Sequence, residues 1–190
     1  MLVIANRLRD ISFGALMEVY LDANRAHGRA LAPQETEERQ IALSEQDFYS
    51  YLHDSFFTCP GAMYCIWEVD KRYVSALRLE PYQDGLLLEA LETAPSQRRK
   101  GYAVQLIQSV QRMLERQGSV RLYSHVNKKN LPSLNTHFRC GFEPHLDYAA
   151  CIDGSVSYRS CTLRYETAVS GQGERCCPAE NNLTEFEKKS

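Results

Sequence analysis

The chain has 190 residues, 44% of them hydrophobic, and a formal net charge of −2, which suits one globular domain with a sizeable core and a tail. The sequence pI of about 6.2 and the lack of any basic stripe outside residues 98–100 exclude the electrostatic footprint of a nucleic-acid binder. The opening MLVIANRLRD turns polar after a few apolar residues, so neither a signal peptide nor a membrane span is expected, and the expected location is cytoplasmic.

Leu2, Val3 and Ile4 suit a first strand, and Phe13, Leu16, Met17, Tyr20 and Ala23 mark one amphipathic helix from Ser12 to about His27. Residues 28–35 read as a loop. One broken helix or two follow to about Phe57, the second half opening on the capping run Ser44-Glu45-Gln46-Asp47. Its aromatic cluster, Phe48, Tyr49, Tyr51, Phe56 and Phe57 with His53, reads first as core and second as the lining of an acceptor pocket. Three strands come next, Met63–Val69, Tyr73–Leu79 and a run from Leu86 that Pro95 ends, linked by tight turns into an antiparallel meander. Ala103, Leu106, Ile107, Val110, Met113 and Leu114 then mark a helix, with Gly118 as its C-terminal cap.

A strand over 120–126 leads into a short helix over 130–139, with Asn130 as cap, Pro132 in the first turn and Gly141 as stop. Two strands, 146–152 and 155–165, are joined by the hairpin turn Asp153-Gly154. From Ala168 the chain is polar and turn-rich and reads as a flexible tail. Seven cysteines without a CxxC pair read as reduced thiols, mostly core hydrophobes. Cys176 and Cys177 with His145 are a weak metal-ligand set, and no metal is expected.

The segment after Pro95 breaks two local rules. Arg98, Arg99 and Lys100 face the positive end of a helix macrodipole, and Gly101 weakens the first turn. An anion resolves the conflict, because the free N–H groups of a first turn aim at it and the cations pair with it. A solvated basic helix start is the plainer alternative. The patterns GxxxxGK[ST] and GxGxxG are both absent, which argues against a P-loop or a dinucleotide site.

Pro95-x-x-Arg98-x-Lys100-Gly101-x-Ala103 resembles the acyl-CoA pyrophosphate loop of the GNAT superfamily of N-acetyltransferases, whose signature is Arg/Gln-x-x-Gly-x-Gly/Ala. The segment VNKKNLPSLNTHFRCGF resembles that family's next motif at Asn130, Ser133, His137, Gly141 and Phe142. The resemblance covers roughly residues 1–166 and includes the order of elements. It implies an α/β (α+β) fold with a mixed, mostly antiparallel central sheet flanked by helices, in a domain of residues 1–167 followed by a tail over 168–190. It also implies acetyl-CoA as co-substrate, an amine as acceptor, no nucleic-acid or membrane partner, and a monomer or homodimer. Donor contacts fall on the backbone near Leu91 and Thr93, on the loop residues Arg98, Arg99, Lys100, Gly101, Tyr102, Ala103 and Val104, and on Asn130 and Ser133.

The implied activity moves an acetyl group from acetyl-CoA to a primary amine of a small molecule, amino acid or peptide by direct attack in a ternary complex. A non-catalytic acyl-CoA-binding regulatory module is the alternative. An alkylamine of pKa about 10.4 is only about one part in 2,500 neutral at pH 7, so the transfer calls for a base. Glu89 and Glu92 are the candidates, carboxylates in an apolar strand where burial raises the pKa. Strict alternation puts them on opposite faces of the sheet, and the resemblance favours Glu89. Where the family usually has Tyr, this chain has His137, an imidazole able to donate a hydrogen bond to the departing sulfur. His125 is a weaker candidate.

Overall fold

A computed structural model describes residues 1–167; the Cys176–Cys177 pair and the tail expected over 168–190 lie outside the described residues. Seven strands form the main sheet: β1 (Leu2–Ala5), β2 (Met63–Val69), β3 (Arg72–Tyr82), β4 (Gly85–Thr93), β5 (Arg121–Asn127), β6 (Glu143–Leu146) and β9 (Ser160–Glu166). Their spatial order is β1-β2-β3-β4-β5-β9-β6. All neighbours are antiparallel except β4 and β5, whose parallel pairing requires a crossover, supplied by helix α4 (Tyr102–Glu115). This is the mixed, mostly antiparallel sheet flanked by helices that the family resemblance implies.

Each face of the sheet has its own core. On one, Leu106, Ile107, Val110 and Leu114 of α4, spaced by one, three and four, pack on Cys65, Leu77, Leu79, Leu88, Leu122 and Leu163. Helix α5 (Leu131–Arg139) covers the same face, and the Asn130 side chain caps it by accepting from Ser133 N–H at 3.1 Å. On the other face, helices α1 (Phe13–Val19) and α3 (Glu37–Asp54) bring Leu16, Met17, Val19 and Leu52 onto Tyr64, Ile66 and Ala76, and α2 (Leu21–Leu31) packs beside α3. Among the described residues no helix is long and apolar enough to cross a membrane.

Several boundaries differ from the sequence reading. The expected helix over 12–27 is two helices broken at Tyr20, because apolar periodicity continues across the break and hides it. Helix α3 is unbroken, and its N-cap is Thr36, which accepts from Arg39 N–H at 3.3 Å. Ser44 is no cap but a buried mid-helix residue whose hydroxyl donates to Asn24 Oδ1 at 3.3 Å. Helix α4 ends before Gly118. The Asp153-Gly154 turn closes only a two-residue hairpin of β7 (Ala149–Ala150) and β8 (Val156–Ser157), while the sheet strands β6 and β9 lie outside it.

The sheet is open at its centre. Strands β4 and β5 pair only at Leu86–Leu122, Leu87–Tyr123 and Leu88–Ser124. Beyond Leu88, β4 continues along β3 to Thr93, and beyond Ser124, β5 continues along β9 to Asn127. A wedge-shaped gap therefore separates residues 89–93 from residues 125–127.

Candidate active site

A bulge shapes one lip of the gap. Arg78 pairs with Glu89 and Ala76 with Glu92, so Ala90 and Leu91 together oppose Leu77. Ala90 carries the local distortion at φ 49°, and its carbonyl accepts from the Tyr20 hydroxyl at 2.6 Å. The extra residue overturns the alternation expected for the two carboxylates. Ala76 and Arg78 share a face, so Glu89 and Glu92 share it too, on the side covered by α1–α3.

Their surroundings nevertheless differ. Glu89 lies 3.6 Å from the Arg78 guanidinium, which also stacks over the Tyr51 ring at 4.7 Å and is half enclosed by Phe48 and Phe56. Glu92 lines a pocket of about 580 Å³ together with Tyr20, Asn24, His27, Asp47, Phe48, Tyr51, Arg78 and Ala90. Burial raises the pKa of both carboxyls, opposed at Glu89 by Arg78 and at Glu92 by Arg98. The aromatic cluster divides accordingly. Phe48 and Tyr51 line the pocket, Phe56 is core, and Tyr49 is stacked with His53 on the outside.

Behind the same lip, Pro95–Gln97 forms a single 3-10 turn and Gly101 caps α4 at φ 82°. The three cations thus precede the first turn rather than belong to it. Arg99 (φ 63°) and Gly101 are both left-handed, which turns successive N–H groups to one side in the manner of an anion nest. The first intrahelical bond runs from Gln105 N–H to the Gly101 carbonyl, so the N–H groups of Tyr102, Ala103 and Val104 have no partner within the helix. The first turn holds no acidic residue and no side-chain cap. A Cβ at Gly101 would meet only Gln105 Nε2 at 3.9 Å; glycine is demanded there by the backbone angle and by the approach left to a ligand. These residues fit a diphosphate.

Not every expected donor residue faces that cradle. Lys100 Nζ donates to Gln97 Oε1 at 2.8 Å, but Arg98 turns to the other side of β4, where it meets Asp22, Glu92 and the Thr93 carbonyl. Leu91 lies in the unpaired interval of the ladder. Asn130 is spent on its cap, and Ser133 Oγ lies 3.5 Å from His137 Nδ1.

His137 is 1% exposed, where the sequence suggested a residue able to reach a leaving sulfur. Nδ1 lies 2.8 Å from the Ser133 carbonyl, which can only accept, so Nδ1 carries the proton and Nε2 accepts from the Ser124 hydroxyl at 2.9 Å. Burial lowers its pKa. Both nitrogens are engaged by the protein itself, and Phe142 packs edge-on against the ring at 5.1 Å. His125 stands edge-on to Tyr82 at 5.4 Å, its Nε2 buried and without a partner among the described residues.

Sequence reasoning missed Tyr20, Asp22, Asn24, His27 and Arg78. An isolated Arg in a strand of apolar residues, at a register position facing aromatic side chains, was the available signal for Arg78. The others depend on contacts distant in sequence.

The acetyltransferase (GNAT) family matches residues 21–142, well over half of the chain. An aminoglycoside N(6')-acetyltransferase type 1 of Serratia marcescens is 33% identical over 126 residues, covering 64% of this chain and 84% of that protein. Among solved structures, the PaiA N-acetyltransferase of Thermoplasma acidophilum in complex with coenzyme A superposes with a TM-score of 0.55 at 13% identity, over 88% of this chain and 99% of that one. The ribosomal-protein-S18-alanine N-acetyltransferase of Escherichia coli gives 0.56 at 16% identity, over 90% and 97%. With the split sheet, the bulged strand and the glycine-capped loop in place, this chain belongs to the GNAT acetyltransferase family.

Proposed function

We propose that this protein transfers an acetyl group from acetyl-CoA to a primary amine by direct attack within a ternary complex. The observation that carries the reading is the position of the gap between β4 and β5, with an anion cradle behind one lip and a carboxylate-lined pocket in front of it. Tyr102, Ala103 and Val104 N–H groups with Lys100 receive the diphosphate, and the open interval at Leu91 receives the thioester arm.

The acceptor arrives as an ammonium and loses a proton to Glu92. The freed lone pair forms the N–C bond, the C–S bond breaks, CoA leaves as a thiolate, and the nitrogen gives its second proton to water, which balances the proton the sulfur takes up. A thiol of pKa about 8.5 is a good enough leaving group to take its proton from water, which fits a buried His137. Asp47 and Glu92 in one pocket, together with the aminoglycoside enzyme among the relatives, support a small acceptor with more than one amino group.

The test is an acceptor panel of aminoglycosides, linear diamines, amino acids and short peptides, read by thiol release from acetyl-CoA and by mass of the product. Acetylation of a polyamine is expected. The sealed position of His137 favours one other reading, a non-catalytic acyl-CoA-binding module. That reading prevails if CoA raises the melting temperature while no amine is acetylated.

A further inference from the structure

The loop that forms the anion cradle also reaches the acceptor side, through a single side chain. Arg98 Nη1 lies 2.7 Å from Asp22 Oδ2, Nη2 lies 3.7 Å from Glu92 Oε2, and Nε donates to the Thr93 carbonyl at 3.2 Å. A guanidinium offers its donors in one rigid plane, so three partners fix its position and exclude a swing toward the cradle without loss of all three. Asp22 is held in turn, because it occupies the first turn of α2, where the macrodipole favours a carboxylate.

We propose that Asp22 and Arg98 are positioning residues for Glu92, with Arg98 as the cation that the two carboxylates share and that aims Glu92 at the acceptor, and that Arg98 is not a phosphate ligand. The inference rests on the acetyl transfer proposed above and on Glu92 as its proton acceptor. Two carboxylates share one guanidinium, which leaves the group with a net charge of −1, suited to an incoming ammonium.

The other titratable side chains near Glu92 have partners of their own. Arg78 is paired with Glu89 and stacked on Tyr51. His27 Nε2 lies 3.0 Å from Asp47, the Tyr20 hydroxyl is committed to the Ala90 carbonyl, and Arg25, 3.8 Å from Asp22, is matched by Glu37 at 3.0 Å, so it leaves the net charge of the cluster unchanged. Asp22 and Arg98 therefore remain as the pair that tunes Glu92, and they act with opposite signs. The cation opposes the rise that burial imposes, and Asp22 adds to it.

The test uses two readouts on the full-length chain. The first is the side-chain carboxyl titration of Glu92, followed by NMR on protein with carbon-13-labelled glutamate and assigned by loss of the signal in Glu92→Gln. Arg98→Gln should move this titration to higher pH and Asp22→Asn to lower pH. Each shift should be about two- to fivefold in proton affinity, since all three side chains are partly solvated. Arg98→Lys, which keeps the charge, should stay close to wild type and guards against a folding defect.

The second readout is the melting shift given by CoA. Arg98→Gln should retain it, whereas Lys100→Ala should lose much of it. Shifts of the titration in the same direction in both variants, or in neither, overturn the proposal. Loss of the CoA effect in Arg98→Gln to the extent seen in Lys100→Ala also overturns it and returns Arg98 to the phosphate. Opposite shifts in a protein that acetylates no amine would confirm the tuning of Glu92 and overturn the reaction instead.

Discussion

At the scale of single residues, the two strand carboxylates share a face and differ in their partners, and this difference divides their roles. Glu92→Gln is expected to lower kcat/KM at neutral pH by about 10²-fold, with partial recovery at higher pH where the amine loses its proton unaided. The sign follows from the environment: a base must be deprotonated, burial raises the pKa of Glu92, and activity therefore falls away at a pH above the usual carboxylate range. Glu89→Gln should act mainly on stability, because it leaves the enclosed Arg78 charge without its counter-ion. Thermal melting and a pH–rate profile on both variants separate the two effects. Gly101→Val should abolish the CoA-dependent melting shift, since a β-branched residue resists the left-handed backbone and its methyl groups occupy the approach to the free amides. The loop was legible in the sequence because a glycine and three cations at an expected helix start conflict with helix rules, a conflict the structure resolves by placing all four ahead of the first turn. The direction of Arg98 was not, because it is set by Asp22, 76 residues away in sequence.

At the scale of elements, the bulge in β4 does most to shape the site, and nothing in its composition announces it. Left-handed positions usually carry Gly, Asn or Asp, whereas here Ala90 takes one. Strict alternation was the reasonable expectation from LLLEALET, and it failed because the Tyr20 hydroxyl and the pairing of Glu92 with Ala76 hold the distortion from outside the strand. Ala90→Gly should relieve the backbone and stabilise the fold by up to about 1 kcal/mol, as a denaturant midpoint shift would show. Deletion of Leu91 should instead remove the bulge while Glu92 stays opposite Ala76 on the face of α1–α3, since it then stands two residues from Glu89, and transfer measured by thiol release should fall because the backbone interval open to the thioester arm is lost. Other elements were readable for identifiable reasons. Pro95 ends a strand, Asn130 has a capping side chain, and the meander has its turns at Asp70-Lys71 and Gln83-Asp84-Gly85. The Ser44-Glu45-Gln46-Asp47 run was a decoy, a cap-like sequence whose serine is buried against Asn24.

At the scale of the whole molecule, the order of elements gave the meander and the family resemblance gave the mixed sheet, while the break at Tyr20 and the separate β7–β8 hairpin emerged only from tertiary contacts. His137 joins the two scales, since it ties α5 to the centre of the sheet through Ser124. Its pKa is lowered by burial, so below the ordinary imidazole value of about 6.5 the unfolded chain binds a proton that the folded chain refuses. Stability due to this group is complete above that pH and declines as pH falls toward the folded value. His125, also lowered by burial, adds to the same slope. His137→Gln should flatten the loss of melting temperature on acidification, while His137→Ala should cost about 2 to 4 kcal/mol through the cavity and the abandoned Ser124 hydroxyl. The three residue pairs that join β4 to β5 have a wider meaning. An exposed strand edge is ordinarily a hazard that proteins blunt with charge or cover with chain, yet here two raw edges confront each other inside one domain. The donor, threaded between them, would serve as the absent strand. Helix α4 spans both half-sheets with one core, so a bound donor would be felt at the edges themselves: hydrogen exchange of the amides over residues 89–93 and 125–127 should slow with CoA, and a metabolite would then act as a structural part of the fold.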